Sequence, residues 1–400
     1  MEEILKISQR ELDDVIELGR RLIRTPTENP PGNYEELSPV IYSTMKEAGL
    51  EAHILKGDEN KPNVVGIWYG SSSKGETLLL SGHMDVVESG DPKEWLYPPY
   101  AGEVKEDHLW GRGAADMKGA IACMICAVKL LRDRGWKPKF NLMIATTVDD
   151  EIAGKMGMKF LIEEGFSRAG LPRPSFHILG EATNLNLMVS FKGRTWIRIE
   201  VAGKSAHGGA PKEGINAIEK AIDIAISMRD LVKESELNPH PMLGPDTCNL
   251  GTIRGGTRVN VVPANCLMEY DIRMGPPNSA KMYINKVRDL LSRLSEERGI
   301  KISLFEVFEE RDPVEVSPEN EKVKTLSEII SKVTGRAPLL KGTLSAGDLY
   351  YTLKAGIPGV WFGPGEPSII HKVNERVPLE HLRLATEVYM NIALTLCQTA

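Results

Sequence analysis

The chain has 400 residues, of which 42% are hydrophobic and 26% are charged, and its formal net charge is −6. This composition is typical of a globular protein, and the net negative charge, with Lys and Arg residues scattered along the chain, argues against a nucleic-acid partner. The length exceeds that of one ordinary hydrophobic core, so two domains are favoured.

The N-terminal segment, MEEILKISQRELDD, is acidic. A secretory signal instead begins with a basic stretch and continues with an apolar one. No apolar run in the sequence reaches the length needed to span a bilayer. We therefore expect a cytoplasmic protein that binds neither a membrane nor a nucleic acid.

The five cysteines are an odd number in a long chain, which does not suggest a disulfide framework. Cys123 and Cys126 have the spacing of a metal or redox motif. They lie, however, in the apolar stretch GAIACMICAVKLL, where this spacing puts both on one helix face. Buried thiols are therefore the preferred interpretation over a redox or zinc site.

Helices and strands alternate in the first half of the chain. Ser8 and Glu11 form a capping-box signature, which predicts that a helix starts the chain. Apolar patterning predicts further helices ending near residue 48 and at 118–134 and 155–164, and strands at 63–69, 77–82, 141–148 and 175–180. Such alternation predicts an α/β fold with a mostly parallel sheet covered by helices on both faces.

The pattern changes after residue 186. A long alternating run at 187–203 is followed by a helix, two strands, a second helix and a strand at 302–310. This β-α-β-β-α-β order predicts a compact α+β domain with an antiparallel sheet, inserted at residues 187–311. From residue 312 the first pattern resumes, so the catalytic domain is predicted to consist of residues 1–186 and 312–400.

Imidazole and carboxylate side chains collect where the predicted strands end, which is the edge at which open α/β sheets bind ligands. These residues are His83, Asp85, Asp149, Asp150, Glu151, Glu181 and His371, together with Asp116 in the turn before a long helix. Each one alone is more often a loop residue or a helix cap. Five separate segments that each offer a ligand type favour a metal site, with zinc as a suitable cation.

Asp85 follows His83 by two residues on an extended segment. From this spacing we expect its carboxylate to hydrogen-bond the imidazole nitrogen that faces away from the metal, which would fix the tautomer of the ring. Asp85 would then support the metal site without being a ligand itself. We count it among the catalytic residues on this basis.

Seven motifs resemble, in order and spacing, the zinc-dependent family of aminoacylases, acetylornithine deacetylases, succinyl-diaminopimelate desuccinylases and bacterial glutamate carboxypeptidases. They are SGHMDVV, GRGAADMKG, TTVDDEIAG, LGEATN, KSAHGGAPKEGINA, NVVPANCLMEYDIR and FGPGEPSIIHKVNERV. The resemblance covers nearly the whole chain. It implies a fold like that of the co-catalytic zinc peptidases, in which the inserted domain is a lid that forms a homodimer.

The resemblance also implies the metal ligands. Asp116 would bridge two divalent ions, with His83 and Glu181 on one ion and Glu151 and His371 on the other. Zinc is the expected metal, and cobalt and manganese are alternatives.

Two departures from the family concern catalysis and substrate. The general base of the family falls on Asp150, where most members have glutamate, and this puts the rate in question. Asp348 is retained in the segment SAGDLYY, but Tyr350 stands where an arginine is expected. The smaller positive charge weakens the case for a doubly anionic acyl group such as succinyl.

Three residues of the inserted domain match positions with roles in the family. His207 would reach the active site of the partner subunit and stabilise the oxyanion, although a surface-loop histidine is the alternative. Arg273 would grip the terminal carboxylate of the substrate, with a surface ion pair as the alternative. Asn260 would assist substrate binding across the dimer, with an ordinary turn residue as the alternative.

These residues predict a two-metal hydrolase that cleaves the amide bond of an N-acyl amino acid with a metal-activated water. No GxSxG motif is present, and no serine or cysteine nucleophile is needed. A dipeptidase or carboxypeptidase of the same family is the first alternative. A non-catalytic metal-binding homologue that has lost turnover through Asp150 is the second and less favoured one.

Overall fold

The structure is a computed structural model and describes residues 4–72, 75–152, 154–345 and 347–398. The chain divides into two compact units. The discontinuous unit comprises Met1–Val189, Val316–Lys341 and Gly347–Ala400, and the inserted unit comprises Ser190–Glu315 and Gly342–Ala346. The sequence predicts an inserted domain at 187–311, without the short second segment.

The strands of the described residues, in chain order, are β1 (Glu51–Lys56), β2 (Pro62–Trp68), β3 (Thr77–His83), β4 (Glu103–Lys105), β5 (His108–Trp110), β6 (Asn141–Thr147), β7 (Phe176–Leu179), β8 (Leu187–Phe191), β9 (Gly193–Ala202), β10 (Thr247–Gly255), β11 (Asn265–Met274), β12 (Lys301–Arg311), β13 (Val314–Glu315), β14 (Leu340–Thr343), β15 (Gly359–Trp361) and β16 (Arg376–Pro378). The predicted strands are present, whereas six strands were not predicted: β1, β4, β5, β13, β14 and β16.

The helices include every one that the sequence predicts. They are α1 (Gln9–Ile23), α2 (Leu37–Glu47), α3 (Lys118–Asp133), α4 (Met158–Phe160), α5 (Phe166–Arg168), α6 (Ala217–Met228), α7 (Lys233–Leu237), α8 (Ala280–Arg298), α9 (Glu321–Thr334), α10 (Leu349–Lys354) and α11 (Leu379–Leu396). A π-helical turn, Leu161–Gly165, joins α4 to α5. Within the described part of the chain, no helix has both the length and the apolar character required to cross a membrane.

Local predictions about two helices are confirmed. At the start of α1, the Ser8 side chain accepts a hydrogen bond from the Glu11 amide while the Glu11 side chain accepts one from the Ser8 amide. Cys123 and Cys126 are free thiols buried in α3. Burial raises the pKa of each thiol to about 12, so neither is reactive at neutral pH.

The discontinuous unit contains a mixed sheet in the order β1-β2-β6-β3-β7-β15-β8. Among these strands, the four in the middle, β6, β3, β7 and β15, run parallel to one another. The α/β class is confirmed, but the parallel part of the sheet is smaller than predicted. β1 and β2 are joined by residues 57–61 alone, and such a short connection forces an antiparallel pair because parallel strands need a longer crossover.

The inserted unit is a four-stranded antiparallel sheet in the order β10-β11-β9-β12. Its core consists of alternate residues of β9 and β11 packed together with residues of α6 and α8. This α+β arrangement agrees with the sequence prediction. The run at 187–203, however, is two strands rather than one, and β8 pairs instead with β15 through Met188 and Trp361.

Candidate metal centre

The discontinuous unit brings the predicted ligands to one edge of its sheet. His83 is the last residue of β3, Glu151 follows β6 by four residues, and Glu181 follows β7 by two. Asp116 lies just before α3, and His371 lies between β15 and β16. Because β3, β6 and β7 are parallel neighbours, their carboxyl ends meet at this edge.

Asp116 lies between the two histidines. Its Oδ1 is 3.0 Å from Nε2 of His83, and its Oδ2 is 3.0 Å from Nε2 of His371. A second carboxylate accompanies each histidine: Glu181 Oε1 is 3.5 Å from His83 Nε2, and Glu151 Oε2 is 3.1 Å from His371 Nε2. The structure therefore groups these five side chains into two sets that share Asp116, the same two sets that the resemblance implies.

The chemistry of this cluster fits divalent cations. One ligand atom each of His83, Asp116 and Glu151 lies within 4.8 Å of the others, and the same holds for His83, Asp150 and Glu181. Glu151 Oε1 is buried without a hydrogen-bond donor among the described residues. A buried carboxylate oxygen without a donor is costly, and a cation satisfies it. Imidazole and carboxylate together suit zinc and similar metals.

Protonation in this cluster is strongly perturbed. Burial, reinforced by the charge of Asp116, raises the pKa of Glu151 to about 7 and that of Glu181 to about 8. Hydrogen bonds to Asp116 and Glu151 raise the pKa of His371 to about 10. Burial would raise the pKa of Asp116, but hydrogen bonds from His371 and His83 outweigh it and lower the value. Metal binding must therefore displace protons, and it strengthens as pH rises.

Asp85 organises the turn that follows β6. Its carboxylate accepts hydrogen bonds from the amides of Asp150 (3.3 Å) and Glu151 (3.1 Å) and from Asn29 Nδ2 (3.0 Å). The sequence predicts that the Asp85 carboxylate bonds His83, and this is wrong. His83 Nδ1 lies 2.9 Å from the Asp85 backbone oxygen and 3.7 Å from the carboxylate. The carboxylate is turned toward the amides, so the backbone carbonyl fixes the imidazole tautomer.

The structure distinguishes the three consecutive acids after β6. Asp149 has φ of 65°, which produces the sharp turn, and its Oδ1 is 2.6 Å from Lys61 Nζ, 3.1 Å from Asn29 Nδ2 and 3.3 Å from the Tyr34 hydroxyl. Asp149 is thus held away from the metal ligands. Asp150 remains beside them. Sequence reasoning missed Asn29 and Lys61, and no local pattern marks them.

Gly347 and Asp348, just before α10, lie beside Asp150. Asp348 is buried and accepts a hydrogen bond from Thr147. Burial raises the pKa of Asp348 well above its usual value, and the charge of Asp150 adds to this effect. Tyr350 is buried in α10, with its ring 5.5 Å from that of Tyr351 and its hydroxyl 3.3 Å from a lysine ammonium of the same helix. The position where an arginine was expected thus carries a packed aromatic ring.

His207, Asn260 and Arg273 lie in the inserted unit. His207 is exposed, and its loop pairs with the Asn260 loop through a 2.8 Å bond from the Gly208 amide to the Asn260 carbonyl. The Gly209 amide donates to His207 Nδ1 at 3.0 Å, which leaves Nε2 as the proton-bearing nitrogen of the neutral ring.

Arg273 is partly engaged within the inserted unit. Its Nε lies 2.8 and 3.0 Å from the two carboxylate oxygens of Asp271, and its Nη1 donates to the Leu344 carbonyl at 3.2 Å. These contacts hold the guanidinium in one orientation and do not involve its Nη2. The role of Arg273 in binding a substrate carboxylate stays a prediction.

Comparisons with known proteins identify relatives that match most of the chain. Residues 79–395 match the sequence profile of peptidase family M20/M25/M40. A curated relative, the N-formyl-4-amino-5-aminomethyl-2-methylpyrimidine deformylase of Bacillus subtilis, is 27% identical over 405 residues, covering 96% of this chain and 95% of that protein.

Two solved structures show the same fold. The aminopeptidase PepT of Bacillus cereus has a TM-score of 0.81 at 20% identity and covers 97% of this chain and 99% of that one. The Bacillus subtilis YxeP protein, described as a dinuclear metal-binding peptidase, has a TM-score of 0.76 at 16% identity and covers 98% and 100% of the two chains. The predicted fold class is therefore confirmed.

Proposed function

Because the chain belongs to peptidase family M20/M25/M40 and is a metal-dependent hydrolase of amide or peptide bonds, we propose that it deacylates N-acyl amino acids. The observation that carries the proposal is the position of Asp116 between two histidines, each with its own carboxylate. This arrangement offers two ligand sets joined by one bridging group. Two divalent ions, with zinc as the expected metal, would occupy them.

His83, Asp116 and Glu181 would hold one ion, and Glu151 and His371, with Asp116, the other. Bound ions would supply Lewis acidity for a water molecule and for the scissile carbonyl. The residues of the chain set the orientation of the ligands. The backbone carbonyl of Asp85 orients the ring of His83.

Proton transfer is assigned to Asp150. Its carboxylate lies beside His83 and Glu181, and its backbone amide is held by Asp85. From this place it would take a proton from the attacking water and deliver it to the leaving amine. His207, which carries its proton on Nε2, would donate a hydrogen bond to the oxyanion that forms in the partner subunit's site.

Exposed apolar side chains next to the ligands support an apolar substrate. Ile152 follows Glu151 directly and is 47% exposed, and Val373 is 38% exposed two residues after His371. Leu96 is 71% exposed, and its amide donates to the side chain of Asn374, which places it beside the same segment. We infer that an aliphatic group of the substrate contacts these side chains.

A substrate panel tests this function. We expect the zinc-loaded chain to hydrolyse N-formyl and N-acetyl derivatives of leucine or methionine with a kcat/KM about tenfold or more above that for the aspartate derivative, since each tenfold step corresponds to about 1.4 kcal/mol. Amine release would be measured for each compound. Dipeptides of the same residues serve as the comparison. If the dipeptides are cleaved faster, the chain is a peptidase and the proposed deacylase function is wrong.

We also propose a homodimer formed through the inserted unit. The supporting observation is a set of exposed aliphatic side chains on α6 and β10: Ile222 (47%), Ile226 (58%) and Ile253 (46%). Such an apolar surface is typical of a subunit contact. In a dimer, His207 of one subunit could act on the substrate of the other.

Subunit mixing would detect this sharing of residues. His207→Ala and Glu151→Ala chains are each expected to be nearly inactive, whereas an exchanged mixture should recover about a quarter of wild-type activity because half of the dimers then contain one intact site. Activity would be measured before and after exchange, and exchange itself by mass spectrometry of tagged chains. The proposal would be refuted if the mixture stayed inactive after full subunit exchange, or if a monomer were active.

A further inference from the structure

Glu375 is a fully buried carboxylate that the proposed reaction does not use. It lies four residues after His371, in the segment that leads into β16. One of its oxygens, Oε1, accepts three backbone hydrogen bonds from Gly113 (3.0 Å), Ala115 (2.9 Å) and Asp116 (3.0 Å). The last of these donors is the amide of the bridging residue itself.

The other oxygen is paired with an equally buried arginine. Arg112 Nη1 lies 2.5 Å from Glu375 Oε2, and the arginine is 2% exposed. Removal of either partner would leave a buried charge without its counterpart, which is strongly destabilising. Glu375 therefore contacts both ends of the 112–116 loop: Oε2 pairs with Arg112, and Oε1 accepts from the Asp116 amide.

Backbone hydrogen bonds also join the segment around Glu375 to the residues just before the 112–116 loop. The Gly111 amide donates to the Glu375 carbonyl at 3.0 Å. In the next residue pair, Arg376 of β16 lies opposite Trp110 of β5 in an antiparallel ladder. The loop that carries Asp116 and the segment that carries His371 are thus joined into one assembly, although they are about 260 residues apart in the chain.

The two ligand sets differ in how they are supported. His83 and Glu181 lie at or just after the ends of β3 and β7, which are adjacent strands of the central sheet. His371 is on a loop, has φ of 62°, and its side chain is 51% exposed. The set containing His371 therefore depends more on contacts outside the sheet, and Glu375 provides the most extensive of those described for this segment.

We propose that Glu375 is a positioning residue that fixes Asp116 relative to His371 and thereby enables binding of the ion held by His371 and Glu151. The inference rests on the proposed two-metal function. A glutamine of the same shape would keep one acceptor oxygen but lose the negative charge that allows a single oxygen to accept three amide donors. The ion held by His83 and Glu181 would be affected much less.

Zinc binding by Glu375→Gln tests the role of this residue. The variant is expected to bind one Zn²⁺ within about threefold of the wild-type affinity and the second about 10–100-fold more weakly, the usual effect of losing a group that orients metal ligands. Equilibrium dialysis against Zn²⁺ followed by elemental analysis gives both stoichiometry and affinity. Hydrogen exchange in a peptide covering residues 111–117 should increase in the same variant.

Glu387→Gln is the matched control. Glu387 is also fully buried, accepts hydrogen bonds from the Ile7 amide and from Arg383, and contacts no metal ligand in these bonds. It should lose thermal stability but bind both ions as the wild type does. If Glu375→Gln does not fold, Arg112→Lys supplies the readout, since it loosens the grip on Oε2 and should weaken the second ion selectively.

Normal binding of both ions by the folded variants would overturn the proposal, as would equal weakening of both ions in Glu375→Gln and Glu387→Gln. A wild-type chain that binds only one ion would instead overturn the two-metal function and, with it, the role of Glu375. The Zn²⁺ titration of the wild-type chain therefore distinguishes failure of the two-metal function from failure of the role proposed for Glu375.

Discussion

Removal of metal by a chelator is expected to abolish amide hydrolysis, and two equivalents of Zn²⁺ per chain should restore it. His83, Asp116, Glu151, Glu181 and His371 form an imidazole and carboxylate cluster in which the buried Glu151 Oε1 lacks a donor among the described residues. Without a cation, nothing in this cluster can activate a water or polarise a carbonyl to a comparable extent. The measurement is turnover against the Zn²⁺ content determined by elemental analysis.

An inert metal ion controls for unspecific effects of the chelator. Mg²⁺ prefers oxygen ligands in an octahedral arrangement and should not restore activity, whereas Co²⁺ or Mn²⁺ should do so at least in part. Full activity in excess chelator, with no more than one tightly bound ion per chain, would contradict the two-metal assignment.

Replacement of Asp150 by alanine is expected to lower kcat by about 10²–10⁴-fold, the usual contribution of a well-placed general acid or base. Both ions and the substrate affinity should be retained, because Asp150 is assigned to proton transfer and not to a ligand set. Asp150 is one methylene shorter than the glutamate common in the family. Asp150→Glu should therefore remain active.

Glu151→Ala provides the matched control, since Glu151 is the adjacent acid on the same turn and its carboxylate lies 3.1 Å from His371. It should lose one ion. Metal content and steady-state kinetics of the three variants separate the two roles. Loss of metal in Asp150→Ala with both ions retained in Glu151→Ala would reverse the assignments of this pair.

Much of the site could be predicted from local patterns. Apolar strands ending in His83, Glu151 or Glu181 are readable in the sequence, and the rule that ligands bind beyond strand ends places these residues together. The same reading included Asp116 and His371, and the resemblance to a known family then assigned the five ligands to two ions. The fold class followed from the same alternation of strands and helices, although β1 and the mixed strand directions did not.

The tertiary structure alone decided how the three acids after β6 are used. Asp149 is turned away by Lys61 and Asn29, which are 88 and 120 residues distant in the chain, and no local pattern records such contacts. The partner of His83 Nδ1 was likewise mispredicted, because the Asp85 carboxylate is drawn to the amides of the turn. Side-chain hydrogen bonds depend on where distant segments meet, whereas strand periodicity depends only on neighbouring residues. The sequence therefore determined which residues gather at the sheet edge, and the fold determined which atoms of those residues face one another.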